Sequence, residues 1–429
     1  MLLVNDLNLK ESIIPLFNYT ISKQASALLL KKFEQLPETE EQVYQRQAIL
    51  KGLLANWHVL NSFAYQPLAF KEVYHFFEEL ADNRIRLSDH PFKTALRFYI
   101  SEKEKYKTRS QLVQVVLFLV RMQRLYFSRV DFASLPENFR GKLKQAMSFL
   151  KKLDLETFDK LIRDDQFSVR QIVALSGKLN NLTSNEIQAF WKFFIEFEVY
   201  LSIAKGIQEH KLEFATFSKN SFSIEGFYHP AIKNPVRNSI ELTNREHVVL
   251  LTGPNMSGKS TLLRSVGICV YLAHVGVGVP AVKCITPFYN SILIAINLND
   301  NLQQGYSHFM NEISNLKTVL EETGNNKRCF AVFDEIFRGT NLDDAIQITR
   351  TTVNGLGSYK KSTFFISTHL LQLENELDNT DSYIRKLYID CSLKDGHPQF
   401  TYSLKEGWSQ LKIGQFLFDK AGLTAMLTV

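Results

Sequence analysis

Cysteine is scarce in this chain. Four are spread over 429 residues (Cys269, Cys284, Cys329 and Cys391) and no two form a C-x-x-C pair. Neither a disulfide framework nor a zinc site is therefore expected, and reduced thiols suit a cytoplasmic compartment. Cys269 and Cys329 sit in apolar runs, as small core residues do. No apolar stretch is long enough to cross a bilayer. The start, Met1-Leu2-Leu3-Val4-Asn5-Asp6, lacks the charged-then-apolar layout of a signal peptide. A cytoplasmic protein with no membrane partner is the expectation. An excess of one charge is missing too: 50 Lys and Arg face 44 Asp and Glu, a net of +6, which permits a nucleic-acid partner without demanding one. With 45% hydrophobic and 22% charged residues, the chain is not a disordered one. Its length exceeds one ordinary core, so two or three domains are expected.

What is present falls into two halves. Up to about residue 215 the pattern is almost wholly helical. Thr39-Glu40-Glu41-Gln42 has capping-box form ahead of a helix through Val43, Ile49, Leu50 and Leu54. Leu112, Val115, Val116, Leu119 and Met122 recur at helical spacing between Gln111 and Tyr126. A second capping box, Thr183-Ser184-Asn185-Glu186, opens a longer helix. Its stripe of Phe190, Phe194, Phe197, Leu201 and Ala204 suits packing along another helix and reads as core rather than cofactor site. Lys103, Lys105, Lys107 and Arg109, interleaved with Glu102, Glu104 and Tyr106, form a charged patch placed between helices. It reads first as a solvated helix end and second as a contact for DNA phosphates.

From Thr216 to Gly226, Ser, Asn and Gly accumulate and short β-type runs replace long helices. A domain boundary is placed there, giving a helical domain over 1–215 and an α/β domain over 216–429. The second domain contains Gly253-Pro254-Asn255-Met256-Ser257-Gly258-Lys259-Ser260, which fits the phosphate-binding pattern G-x-x-x-x-G-K-[ST]. A strand-like Val248-Val249-Leu250-Leu251 precedes it, and Thr261-Leu262-Leu263-Arg264 continues as a helix. Glycines let backbone N–H groups approach a polyphosphate, and the helix adds its positive end. Lys259 can reach the β- and γ-phosphates, and Ser260 is placed to bind Mg²⁺.

Two further strand ends belong with this loop. Cys329 to Phe333 is an apolar run ending in Asp334 and Glu335. Asp334 suits a share of the Mg²⁺ shell, and Glu335 the task of orienting or deprotonating an attacking water. Thr363 to Thr368 ends in His369, which can contact a γ-phosphate. Gly305 to Glu312 opens a helix with Ser307 near its N-cap; by spacing alone Ser307 is just a cap. Lys386 to Asp390 and Gln399 to Tyr402 flank a turn at Asp395-Gly396, the form of a hairpin.

Together these residues resemble the MutS family of DNA mismatch-repair ATPases, relatives of the ABC-type ATPases. The family's phosphate loop appears as Thr252 to Thr261. Its later segments appear as Gly305, Ser307, Phe309 and Glu312, as Asp334, Glu335, Arg338, Gly339 and Thr340, and as Ser367-Thr368-His369. His229-Pro230 matches the dipeptide that opens the family's ATPase domain, and Tyr402-Ser403-Leu404 with Gly407, Gly414 and Ala421-Gly422-Leu423 follows its C-terminal pattern. The resemblance implies an all-α core and lever domain followed by an α/β P-loop ATPase domain of ABC type, using ATP and Mg²⁺. It implies a dimer, with itself or with a longer MutS-like protein, in which Ser307 of one subunit completes the nucleotide site of the other. It also implies double-stranded DNA, mismatched or branched, as partner.

The chain departs from the family in places. Ser257 and Phe337 stand where the family has glycine, His308 where it has threonine, and Val236-Arg237 where an aromatic meets adenine. The mismatch-recognition and connector domains are expected to be absent. A nucleotide-gated scaffold or adaptor with little mismatch reading of its own is the alternative, and a P-loop kinase or transporter subunit a third.

Overall fold

A computed structural model of the chain describes residues 2–85, 87–88, 90–296, 308–324, 327–337, 339–377, 381–394, 397–409, 418, 420 and 422–427. It divides into two compact units. One comprises 17–35 and 44–209; the other comprises 1–16, 36–43 and 210–429.

The first unit is helical. Its longest helix, Ser184–His210, opens on the expected capping box: Glu186 accepts a hydrogen bond from Thr183 N at 3.0 Å, and Thr183 Oγ1 accepts one from Glu186 N at 3.3 Å. The five stripe residues are all buried. Burial goes further than a stripe, however, since every side chain from Phe197 to Ala204 is enclosed. Polar Glu198 and Ser202 lie inside because the chain around Phe17 to Ser22 supplies their partners. Ser202 Oγ donates to Phe17 O and accepts from Tyr19 N, both at 2.7 Å. Rings from other elements converge on this helix, among them Phe149 stacked on Phe190 at 4.6 Å and Phe127 edge-on to Phe197 at 5.3 Å.

The charged patch does not lie between helices. Ser101 caps the helix Glu102–Met122 by accepting from Glu104 N, so Lys103 to Arg109 occupy its first turns and the apolar positions from Leu112 onward its buried remainder. An N-cap serine outweighs the lack of early apolar periodicity.

The second unit is α/β. A seven-stranded sheet runs in the order Leu2–Leu3, Ser291–Ala295, Cys329–Phe333, Thr363–Ser367, Val248–Thr252, Ile384–Lys394, His397–Glu406. All neighbours are parallel except the last pair, the expected hairpin. Its turn, Asp395-Gly396, lies outside the described residues. Three central strands, Val248–Thr252, Cys329–Phe333 and Thr363–Ser367, are buried at every position, as parallel strands covered on both faces are. A smaller sheet orders Thr216–Phe217, Lys283–Thr286, Phe222–Phe227 and Asn238–Leu242. The first half is almost wholly helical, as expected, but it opens on a short strand. Leu2 and Leu3 pair with Ile292 and Leu293, and Asp6 accepts from Ile296 N at 2.7 Å. A two-residue strand is too short to show a period of two.

The helix Lys259–Val275 carries a buried His274. Its Nδ1 donates to Val270 O at 2.7 Å and its Nε2 accepts from Tyr289 N at 2.8 Å, so the ring is neutral. Burial pushes its pKa from the ordinary 6.5 down to about 4. Between those values the unfolded chain binds the extra proton, so stability present above pH 6.5 is lost as the pH falls. The expected loss is about 2 kcal/mol between pH 7 and 5, read from urea midpoints. His274→Gln keeps an acceptor for Tyr289 N and should remove this part of the slope. An unchanged slope would clear His274 of the effect.

Candidate functional site

The parallel strands bring three sequence segments to one edge, the carboxyl-terminal one, where open α/β sheets bind ligands. Val248–Thr252 runs into the loop 253–258 and the helix Lys259–Val275; Cys329–Phe333 runs into Asp334 and Glu335; Thr363–Ser367 runs into Thr368 and His369. The register sets Phe333 beside Ile366, and Ser367 beside Leu251, so all three strands stop at one level.

The loop has the backbone that its glycines permit. Gly258 sits at φ +97°, and a Cβ there would lie 3.1 Å from the Tyr402 ring. Gly253, at φ +147°, leaves space beside Ser257 Oγ, which a Cβ would meet at 3.0 Å. Pro254 is half-buried, Asn255 and Met256 are exposed, and Met256 takes φ +69°. Ser257 is fully buried and its hydroxyl has no hydrogen-bond partner among the described residues. Thr261 is half-buried in the first helical turn.

The charged groups converge beneath this loop. Lys259, 5% exposed, donates to Gly253 O at 2.8 Å and Pro254 O at 3.2 Å, and its Nζ lies 3.8 Å from Glu335 Oε1. Burial lowers its pKa, opposed by the carboxylates of Glu335 and Asp334. Asp334 accepts from two hydroxyls at once, Ser260 Oγ on one oxygen and Ser367 Oγ on the other. Ser367 in turn accepts from Glu335 N at 2.9 Å. Ser367 thus holds the Asp334 carboxylate and the Glu335 backbone, a role not assigned from its place in the Ser-Thr-His run. Glu335 and Phe337 hold left-handed backbone, at φ +51° and +64°, of the strained kind that gathers at functional sites. His369 is exposed at the strand end and makes no hydrogen bond among the described residues. Ser307, with Gly305 and Arg338, lies outside the described residues. The helix His308–Gly324 begins right after it.

A cavity of about 430 Å³ opens beside the loop, lined by Tyr228, His229, Val236, Asn238, Gly258, Thr261, Ser265 and Tyr402 among others. Its size is that of a small-molecule site. Tyr402, at φ +55° and 48% exposed, is held by Asn238, which donates to Tyr402 O at 3.0 Å and accepts from Leu404 N at 2.8 Å. The Arg237 guanidinium lies over the Tyr228 ring at 4.7 Å. Burial, then Arg264, lowers the pKa of His229. Val236 and Tyr402 thus line one cavity, Tyr402 brought there by the hairpin, while the aromatic that Arg237 meets is Tyr228.

Residues 249–426 match the profile of MutS domain V. The chain is 33% identical over 207 residues to the DNA mismatch repair protein MutS of Aquifex pyrophilus, covering 47% of this chain and 24% of that protein. It is 30% identical over 235 residues to the protein of the same name from Ehrlichia ruminantium (strain Gardel), 53% of this chain and 28% of that one. With that of Geobacillus sp. (strain WCH70) the identity is 27% over 248 residues, 56% of this chain and 28% of that protein. The matched region spans about a quarter of the length of these relatives. The matched profile takes in the loop and the paired carboxylates, and residues 249–426 belong to the MutS family as its domain V, corresponding to part of a full-length MutS.

Proposed function

We propose that the chain binds ATP with Mg²⁺ at this edge of the sheet and hydrolyses it to ADP and phosphate as a MutS-like, DNA-associated ATPase. The observation that carries the reading is Asp334 held between the hydroxyls of Ser260 and Ser367, with Lys259 and Glu335 alongside. A serine hydroxyl and a carboxylate in contact are the hard oxygen donors that Mg²⁺ takes, the rest of its shell being water and phosphate oxygen. Bound there, Mg²⁺ would neutralise charge developing on the phosphates. Lys259 is to exchange its two carbonyl acceptors for β- and γ-phosphate oxygens. The N–H groups of residues 255–260 cradle the same phosphates. Glu335 orients the attacking water and takes its proton, and His369, exposed at the neighbouring strand end, contacts the γ-phosphate. Tyr402 stacks on the base in the adjoining cavity. Ser307 of a second subunit, a copy of this chain or a longer MutS-like protein, completes the site, so that ATP closes the dimer.

The test is steady-state ATP hydrolysis at fixed salt with homoduplex, mismatched, branched and no DNA, since phosphate contacts make such affinities salt-dependent. Faster turnover with mismatched or branched DNA than with homoduplex supports a role in DNA repair. Equal rates with and without DNA, with ATP-dependent dimerisation retained, would replace it by the nucleotide-gated scaffold.

A further inference from the structure

The helix Pro91–Ile100 is packed inside out. Of its ten residues Thr94 and Phe98 are buried. At 100° per residue those two share one side, and Phe92, Leu96, Tyr99 and Ile100 share the opposite side. They are 73%, 51%, 89% and 76% exposed. A helix seated on a soluble unit ordinarily turns polar residues outward, and contiguous exposed apolar side chains mark an interaction surface. Tyr106, 67% exposed, continues the aromatic character onto the next helix.

The rim is basic. Between residues 91 and 109 six Lys and Arg stand against two Glu. One of the two, Glu104, is engaged by the Arg97 guanidinium through hydrogen bonds of 2.6 and 2.9 Å, which lock the two helices together. Lys93, Lys103, Lys105 and Lys107 are exposed, and the first three carry no ion pair among the described residues.

The charge selects the occupant. A second copy would set the same basic rim against itself. Duplex DNA would satisfy the lysines and leave the aliphatic ends of Leu96 and Ile100 facing water or phosphate. An anionic bilayer surface satisfies both: acyl chains take Phe92, Leu96 and Ile100, headgroup phosphates take the lysines, and tyrosine rings suit the level between. We infer that the helix Pro91–Ile100 lies in the interface of an anionic membrane and docks this chain there peripherally and reversibly. At about 15 Å the helix is far too short to cross a bilayer, and among the described residues no helix is long and apolar enough to do so. The inference is independent of the nucleotide site.

The test is flotation of the full chain with phosphatidylcholine vesicles containing or lacking phosphatidylserine. The chain is expected to float with the anionic vesicles alone. Leu96→Ser with Ile100→Ser, both at exposed positions, should weaken this at least ~10-fold, as should Lys103→Glu with Lys105→Glu. The helical signal and urea midpoint of the serine variant report an intact fold and should be unchanged. Failure of the unaltered chain to float overturns the inference. Flotation that needs the lysines but ignores the serine substitutions overturns it as charge alone. Loss of binding to a labelled duplex in the serine variant, with flotation retained, would give the face to nucleic acid.

Discussion

Glu335→Gln should cut steady-state ATP hydrolysis by ~10²–10⁴-fold while nucleotide still binds, because glutamine keeps the size and an acceptor oxygen but takes no proton. The geometry separates the two effects. Glu335 is 3.8 Å from Lys259, at the edge of an ion pair, whereas the direct hydrogen bonds of Lys259 go to Gly253 and Pro254 carbonyls. Losing the Glu335 charge therefore leaves the lysine positioned. Ser260 and Ser367 remain on Asp334, whose own contacts the substitution does not touch. Binding of a fluorescent ATP analogue, measured beside turnover, distinguishes a chemical defect from a lost site. An unchanged rate would remove Glu335 from the mechanism. Lost binding would instead make it a structural partner of Lys259.

The second large effect lies in the helical unit. Glu198→Ala should destabilise that unit by ~3–5 kcal/mol, a large share of a typical domain's 5–15 kcal/mol. Glu198 is 2% exposed and accepts from Ile21 N at 2.6 Å, Ser22 N at 2.8 Å, Ser22 Oγ at 2.8 Å and Tyr65 Oη at 2.5 Å. Ser22 is also the N-cap of the helix Lys23–Glu34, accepting from Ala25 N at 3.1 Å. One carboxylate thus ties the start of that helix and the Tyr65 ring to the longest helix. Burial, then the Glu198 charge, holds the Tyr65 phenol above its ordinary range, so it stays a donor. Alanine would strand four donors in a dry interior. Tyr65→Phe removes one donor and should cost about 1 kcal/mol. Urea unfolding followed by helical signal measures both. A loss for Glu198→Ala no larger than for Tyr65→Phe would show that water or rearrangement satisfies the stranded groups.

Much of the α/β unit was legible because its determinants are local. A strand, a glycine loop and a helix in immediate succession announce themselves, as do carboxylates or a histidine at the end of an apolar run. The capping box at Thr183 was legible for the same reason: its two hydrogen bonds close within four residues. Reading failed where partners are distant. Glu198 and Ser202 carry no signal in the sequence beside the aromatic stripe, since the groups that satisfy them lie more than 130 residues away. The charged patch was placed between helices because its first turns lack buried apolar residues; one serine cap settled the matter.

The sequence by itself determined the kinds of element and the chemistry at each strand end, because backbone conformation, caps and phosphate-loop spacing depend on neighbours within a few residues. The tertiary structure alone decided which groups meet. Ser367 joins Asp334 through strand pairing, Tyr402 reaches the loop through the hairpin, and Leu2–Leu3 joins an edge formed nearly 290 residues later. It also decided which face of Pro91–Ile100 is turned to solvent. Helical periodicity shows that a helix has an apolar side, but only the packing of Thr94 and Phe98 fixes which side is buried.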